Sequence, residues 1–229
     1  EVEMLNGLME EARRMVSVLN TSLFPQDIQL VKISGAAYGP SVYYTRERCI
    51  MIPANELRVE NREQLLQVLL HELFHVYSRY HPGKRQALYA EIGFTTVSDS
   101  VLLPEHLRKR LLLNPDGVRW QQKIALQPPM QDSSRMYVPI LYATRLEEEP
   151  IGRFFDHFAF GYFPVDSTAQ GWLINTPPET VASWPVFREK TGGNTNYIIH
   201  PDEILADNFV LLVLRAAGHP IEVSPEGEE

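Results

Sequence analysis

The chain has 229 residues and a formal net charge of −8, with 44% hydrophobic and 22% charged residues. This composition is ordinary for a globular protein that buries one substantial core, or a core and a subdomain. The negative charge and the lack of a basic run argue against a nucleic-acid partner. No apolar stretch reaches the roughly 18–20 residues that a membrane-spanning helix needs, so no transmembrane segment is expected.

The first residue of the chain bears on the compartment of the protein, and its single cysteine bears on disulfide bonds. Glu1 is not an initiator methionine, which fits either a removed signal peptide or a trimmed start. The compartment stays open, with an exported or periplasmic location favoured over a cytoplasmic one. Cys49 is the only cysteine, so an intramolecular disulfide is excluded, and we expect this side chain to pack as a small hydrophobe.

The first part of the chain predicts a helix followed by two strands. Apolar residues recur at helical spacing over residues 2–19, and acidic residues lie near the start. Residues 28–33 and 48–53 have the apolar and β-branched character of short strands. Residues 35–47 between them are expected to be a connection, with the alternative that they overhang the edge of the sheet.

Residues 62–79 predict a long, buried helix. The segment contains neither glycine nor proline, and a His-Pro-Gly sequence ends it. Leucine, phenylalanine, valine and tyrosine cover much of its circumference, as in helices that are buried on most sides. Three polar side chains, His71, Glu72 and His75, nevertheless interrupt this apolar surface, and burying them is costly unless a partner satisfies them.

These three residues form the pattern His-Glu-x-x-His, which can hold a metal ion on one helical turn. Histidines four residues apart project from the same face, so His71 and His75 can both reach one cation. Zn²⁺ accepts imidazole nitrogen and needs one further protein ligand in a catalytic site, which leaves a position for water. Glu72 can then take the proton of that water as general base. The alternative is an accidental match in which both histidines are satisfied within a core.

A third ligand must come from another part of the chain, because no later histidine has the required spacing from His75. The first candidate is Glu203, in the first turn of a predicted helix that starts with proline. Asp207 lies one turn further on, so Glu203 is predicted as the ligand and Asp207 as acceptor for a histidine N–H. Alternatively, both acids simply favour a helix start. The second candidate is Glu91, near the end of a helix predicted over residues 84–92.

On His71-Glu72-x-x-His75 and Glu203-x-x-x-Asp207, the chain resembles the gluzincins, the thermolysin-like clan of zinc metallopeptidases. The resemblance covers these two short motifs. It implies an α+β, zincin-like fold with a small mixed or antiparallel sheet. It also implies that the strand before the histidine helix forms the edge of this sheet and binds an extended peptide. In that clan the glutamate helix follows soon after the histidine helix, whereas 127 residues separate His75 from Glu203 here. We therefore expect one zincin-like domain over residues 1–229, with a β-rich insertion at residues 118–199.

The region between the two motifs is predicted to be mostly β-structure. Residues 104–113 indicate one more short helix, which an Asn-Pro-Asp-Gly sequence ends. Aromatic and β-branched runs between proline- and glycine-rich segments then predict three strands, over residues 118–126, 136–144 and 154–163.

The segment just before Glu203 is a candidate for the donor that stabilises a developing oxyanion. Its glycines and asparagines favour a loop, where catalytic groups often lie. Tyr197 or His200 could donate to a tetrahedral intermediate. The alternatives are that Tyr197 begins a buried strand and that His200 caps the following helix.

The sequence thus predicts a zinc-dependent hydrolase, foremost a metallopeptidase with a peptide or protein substrate. His71, His75 and Glu203 would bind Zn²⁺, and Glu72 would be the general base. Two rival functions stay open. One is a zinc-binding protein that is not a peptidase, serving as an interaction module or hydrolysing another substrate on the same fold. The other is a metal-free structural domain.

Overall fold

The computed structural model describes residues 1–98, 100–144, 154–174 and 176–219. The chain is a mixed α+β protein, which confirms the predicted fold class at that level. It divides into two compact units, and each is described by itself. The first unit comprises residues 1–36, 40–80 and 205–229, and the second comprises residues 37–39 and 81–204. The single domain with an insertion at residues 118–199 stays a prediction.

Six α-helices are present in the described part of the chain. They are α1 (Val2–Leu19), α2 (Arg62–Tyr80), α3 (Pro82–Glu91), α4 (Glu105–Arg108), α5 (Pro185–Thr191) and α6 (Pro201–Ala216). Short 3₁₀ segments occur at Thr21–Leu23, Ala54–Glu56, Val59–Asn61 and Phe154–His157. The predictions for α1, α2, α3 and the start of α6 are confirmed to within about two residues. None of the described helices combines the length and apolarity needed to cross a membrane.

A small mixed sheet of three strands belongs to the first unit. Its strands are β1 (Gln29–Ile33), β2 (Tyr44–Arg46) and β3 (Cys49–Pro53), in the order β1-β3-β2. β3 pairs in parallel with β1 and antiparallel with β2. Both predicted strands are confirmed, but β3, the strand before the histidine helix, is central. The expectation that β3 forms the substrate-binding edge was wrong, because β2, in the segment expected to be a connection, occupies that edge.

The second unit contains a larger sheet. Its strands are β4 (Phe94–Thr96), β5 (Val101–Leu102), β6 (Leu111–Leu112), β7 (Gln122–Leu126), β8 (Arg135–Ala143), β9 (Phe158–Thr168) and β10 (Gly171–Ile174). The order is β4-β7-β8-β9-β10-β5, and β6 pairs with β8. The longest pairing is the antiparallel ladder of β8 and β9, and apolar side chains of these two strands contribute four of the eight residues of a buried cluster.

Four predictions for this region need correction. Helix α4 ends at Arg108, and β6 replaces the rest of the helix predicted over residues 104–113, because Leu111 and Leu112 pair with β8. Residues 154–157 form a 3₁₀ turn before β9 instead of the start of a strand. The first predicted strand begins at Gln122, four residues later than expected. The β-structure begins at Phe94, upstream of residue 118, and helix α5 lies within the region that was expected to be β-rich.

The core of the first unit is built from the apolar faces of α1, α2 and α6. On α1, Leu8, Ala12 and Met15 recur at helical spacing and are buried, which accounts for its amphipathic sequence. On α2 the leucines between positions 65 and 73 are almost fully buried, and Val210, Val213 and Leu214 of α6 join the same cluster. Helix α2 therefore has apolar neighbours on most sides, as its sequence predicted.

The contribution of this core to the free energy of unfolding can be measured with two leucine substitutions. Leu69→Ala should lower the free energy of unfolding by about 2–5 kcal/mol, because Leu69 is fully buried and truncation leaves a cavity. Leu212→Ala on α6 is the matched control, since Leu212 is 53% exposed, and should cost about 1 kcal/mol or less. Urea titrations followed by circular dichroism would test this, and equal losses in the two variants would contradict the assigned core.

Candidate functional site

Helix α2 brings His71, Glu72 and His75 together within the first unit. A ring nitrogen of His71 and one of His75 lie within 4.8 Å of each other, and the ring centroids are 4.7 Å apart. His75 is fully buried and Glu72 nearly so, with a carboxylate oxygen within 4.8 Å of a His75 nitrogen. The i, i+4 spacing on a regular helix accounts for this approach. The three side chains thus lie together on one turn of α2, and their predicted roles stay a prediction.

His71 is oriented by a hydrogen bond to α6. Its Nδ1 lies 2.8 Å from Oδ1 of Asp207, and both residues belong to the first unit. An ionised carboxylate can only accept, so Nδ1 carries the proton and donates. The other ring nitrogen, Nε2, then keeps its lone pair in the neutral imidazole, which is the form that binds a metal. The contact joins the two residues that the sequence predicted as partners, and the role of Asp207 beside a metal ligand stays a prediction.

Aromatic side chains also pack beside this turn of α2, and Phe74 lies edge-on to His75. Phe74 follows Glu72 by two residues and packs against Phe209 of α6, with ring centroids 5.5 Å apart. Nε2 of His75 and Oε2 of Glu72 are both buried atoms. Placing a carboxylate and two imidazoles in such surroundings is unfavourable, and a cation bound among them would offset that cost.

The pKa of the Tyr43 phenol is influenced by two carboxylates of the first unit. Burial raises the pKa of the Tyr43 phenol above its usual range, and the carboxylates of Glu56 and Glu72 raise it further. Tyr43 also makes a hydrogen bond with Glu56, which additionally accepts from Ser41 Oγ at 2.7 Å. The phenol therefore stays a proton donor at neutral pH. Sequence reasoning noticed this tyrosine only as part of the segment 35–47, because its electrostatic relation to Glu72 depends on the fold.

Glu203 is buried in the second unit, in the first turn of α6. Its side chain is only 1% exposed, and Oε1 accepts a short hydrogen bond from Nδ2 of Asn114. Asn114 is itself held by the backbone N–H of Asp116, which donates to Oδ1 at 3.2 Å. The sequence indicated only a helix stop at Asn114. Its contact with a residue 89 positions away could not be anticipated from local patterns.

Helix α6 runs without interruption from Pro201 to Ala216 and so carries both Glu203 and Asp207. Residues four apart on an α-helix lie on the same face, roughly 6 Å from each other. The alternative third ligand, Glu91, is an exposed residue at the end of α3. A buried, hydrogen-bonded carboxylate one turn from Asp207 is better placed for ligation than an exposed helix terminus.

The segment before α6 is a loop, as predicted, but its two candidate donors differ. Tyr197 is 43% exposed and does not begin a strand, while its backbone N–H donates to Thr195 Oγ1 at 2.9 Å. His200 is buried, with Nδ1 accepting from the backbone N–H of Asp202 at 3.1 Å. Its Nε2 lies 2.7 Å from the carbonyl oxygen of Arg119 and so donates there. Both ring nitrogens of His200 thus serve the main chain, which favours the capping alternative over oxyanion stabilisation.

Several contacts within the second unit hold the start of α6. The Tyr89 hydroxyl donates to the buried carboxylate of Asp202 at 2.8 Å, and the Tyr89 ring stands edge-on to His200. At Gly117 a Cβ atom would approach the His200 ring to 2.9 Å, so a side chain there would displace the imidazole. These contacts fix the first turn of the helix, and with it the backbone of Glu203.

Comparisons of the chain with protein-family models, with curated proteins and with solved structures found no match. The functional argument therefore rests on the side chains described above.

The orientation of His71 can be tested by nuclear magnetic resonance of its ring nitrogens. At neutral pH without metal, we expect His71 in the Nδ1–H form, because Asp207 accepts that proton. Asp207→Ala should remove this preference and give a mixture of tautomers. His106, which is exposed, serves as an internal reference. A His71 tautomer that is unchanged in the Asp207→Ala protein would contradict the assigned hydrogen bond.

Proposed function

We propose that the chain is a zinc-dependent hydrolase with metallopeptidase activity, built on a zincin-like core. His71, His75 and Glu203 are the proposed metal ligands, and Glu72 is the proposed general base. The observation that carries the proposal is the 2.8 Å hydrogen bond from His71 to Asp207. Metal-binding histidines usually donate their second ring nitrogen to a carboxylate or carbonyl, which fixes the ring and its tautomer.

The donor set suits zinc. Two imidazoles and one carboxylate are a known set for catalytic Zn²⁺, whereas Mg²⁺ and Ca²⁺ prefer oxygen ligands throughout. Continuity of α6 supports Glu203 as the third ligand, because Asp207, one turn away on the same helix, already contacts His71. Asn114 supports it further by holding one carboxylate oxygen, and so limits the rotation of the side chain.

Bound zinc would supply a Lewis acid that polarises a substrate carbonyl and lowers the pKa of a water molecule. Glu72 would accept the proton of that water and transfer it to the leaving amine. His200 is less suited to stabilise an oxyanion, because both of its ring nitrogens serve the main chain. Tyr197 keeps its predicted role as an alternative donor.

A peptide substrate is proposed to bind as an extended strand. In the sheet of the first unit, β1 and β2 are the outer strands, and β2 follows directly after Tyr43. Main-chain pairing with an outer strand gives affinity without dictating the sequence of the peptide. This arrangement favours a peptide over a small-molecule ester, and we propose peptide-bond hydrolysis for that reason.

The zinc content of variants tests which residues bind the metal. The wild-type protein should bind about one zinc per chain, and His71→Ala and Glu203→Gln should each weaken zinc binding at least 100-fold, because three protein ligands are needed. Glu91→Gln is the matched control and should bind zinc like the wild type. Elemental analysis after dialysis against limiting zinc would show this. Loss of zinc in Glu91→Gln but not in Glu203→Gln would transfer the assignment to Glu91.

A substitution of Glu72 tests zinc binding and catalysis separately. Glu72→Gln should retain zinc but lose about 10²–10⁴-fold in turnover of a mixed peptide library, since it removes the base and keeps the shape. Glu63→Gln, an exposed acid on the same helix, should keep full activity. Retained turnover in Glu72→Gln would contradict the proposed mechanism. Zinc binding without any turnover by the wild type would favour the rival binding module.

A further inference from the structure

The second unit contains a cavity that the proposed zinc chemistry does not use. Its volume is about 410 Å³, within the range of sites that take small organic ligands. The apolar part of its wall includes Leu107 of α4, Tyr142 of β8, Phe163 of β9 and Ile174 of β10. The rings of Tyr142 and Phe163 meet edge to face with centroids 5.9 Å apart. This part of the cavity is suited to an aromatic or branched apolar group.

One part of the lining is fixed on the sheet by a close approach of the Pro178 ring to the backbone of β9. At Gly161 of β9, a Cβ atom would come within 2.3 Å of Pro178, so glycine is required for the two segments to touch. The next residues are paired: Glu179 donates its N–H to the Tyr162 carbonyl at 2.8 Å, and Tyr162 donates back to the Glu179 carbonyl at 3.3 Å. Pro177 and Pro178, which line the cavity, are therefore held in place without a ligand.

A second part of the lining is also held by backbone pairing. The N–H of Ala143 donates to the carbonyl of Arg110 at 2.8 Å, and Leu111 pairs with Tyr142. Arg110 and Tyr142 are thus presented together at the junction of β6 and β8. A ligand would meet a preformed surface here, so little conformational entropy would be lost on binding.

Two buried polar atoms of the lining have no hydrogen-bond partner among the described residues. They are Nε of Arg110 and Oγ1 of Thr176. Buried polar atoms in native proteins nearly always have a hydrogen-bond partner, so each of these two exceptions needs an explanation. The Nη1 atom of Arg110 makes only a long, 3.5 Å contact with the Thr144 carbonyl. No acidic side chain occurs among the described residues that line the cavity.

We propose that this cavity binds a small carboxylate with an aromatic or branched apolar tail. The carboxylate would accept hydrogen bonds from the Arg110 guanidinium and the Thr176 hydroxyl, and the tail would pack against Tyr142 and Phe163. No acid occurs among the described residues of the lining, so the guanidinium selects for a negative charge on the ligand, since its fork of donors matches a carboxylate. His106, also in the lining, can add a further donor. This site is independent of the proposed zinc chemistry.

The test uses the full chain, freed of metal by chelator, and the probe 3-phenylpropanoate. Methyl resonances of Leu107, Ile174 and Thr176 should shift on titration, and those of Leu65 and Leu69 on α2 should not. The neutral analogues 3-phenylpropanamide and 3-phenylpropan-1-ol should bind at least tenfold more weakly, because hydrogen bonds to charged groups contribute more than neutral ones. Because metal is absent, a carboxylate bound to zinc cannot be mistaken for this site.

Two variants complete the test. Arg110→Gln should remove the preference for the carboxylate over its neutral analogues, whereas Lys109→Gln should keep it, since Lys109 is an exposed cation paired with Glu105. Equal affinity of the wild type for the acid and the amide would overturn the proposal. So would shifts confined to α2, or no shift at all at high probe concentration. These wild-type results decide the question even if Arg110→Gln does not fold.

Discussion

The hydrogen bond between His71 and Asp207 is the interaction on which the proposed chemistry depends. It joins α2 to α6 inside the first unit, where leucines and phenylalanines otherwise form the contact between the helices. Burying these polar groups is unfavourable by itself, and the bond offsets part of that cost. It also fixes one tautomer of His71, so that the remaining ring nitrogen is a lone-pair donor. Metal-binding histidines usually have such a partner, and the contact supports the proposed ligand role for that reason.

The same contact sets the role of α6. Because Asp207 is committed to His71, the helical repeat brings the carboxylate one turn earlier, that of Glu203, to the same helix face. The second unit holds that first turn through Asn114, Tyr89 and the His200 cap. One helix thereby carries a ligand candidate at its start and an orienting residue one turn later. This proposed division of roles would account for Glu203 and Asp207 on a helix whose sequence is largely apolar.

The sequence predicted those features that depend on local periodicity. The limits of α1 and α2 follow from their apolar spacing and from the residues that end them, and the His-Glu-x-x-His grouping follows from helix geometry alone. Strands of two or three residues, such as β5 and β6, were missed because they have no period to detect and form only through pairing with β10 and β8. The contacts of Asn114 and Tyr43 were missed because the partner of Asn114 lies far away in the chain and Glu56 acts on Tyr43 through charge. The edge position of β2 likewise depends on strand order, which local sequence does not encode.

The central claim is that two imidazoles and one carboxylate hold zinc, and X-ray absorption at the zinc edge tests it most directly. The protein would be loaded with one equivalent of zinc and measured at neutral pH. The account predicts only nitrogen and oxygen neighbours at about 2.0–2.1 Å, with outer-shell scattering from two imidazole rings. A sulfur neighbour at about 2.3 Å, which would implicate Cys49, would contradict it. A shell of oxygen atoms without imidazole scattering would contradict it equally.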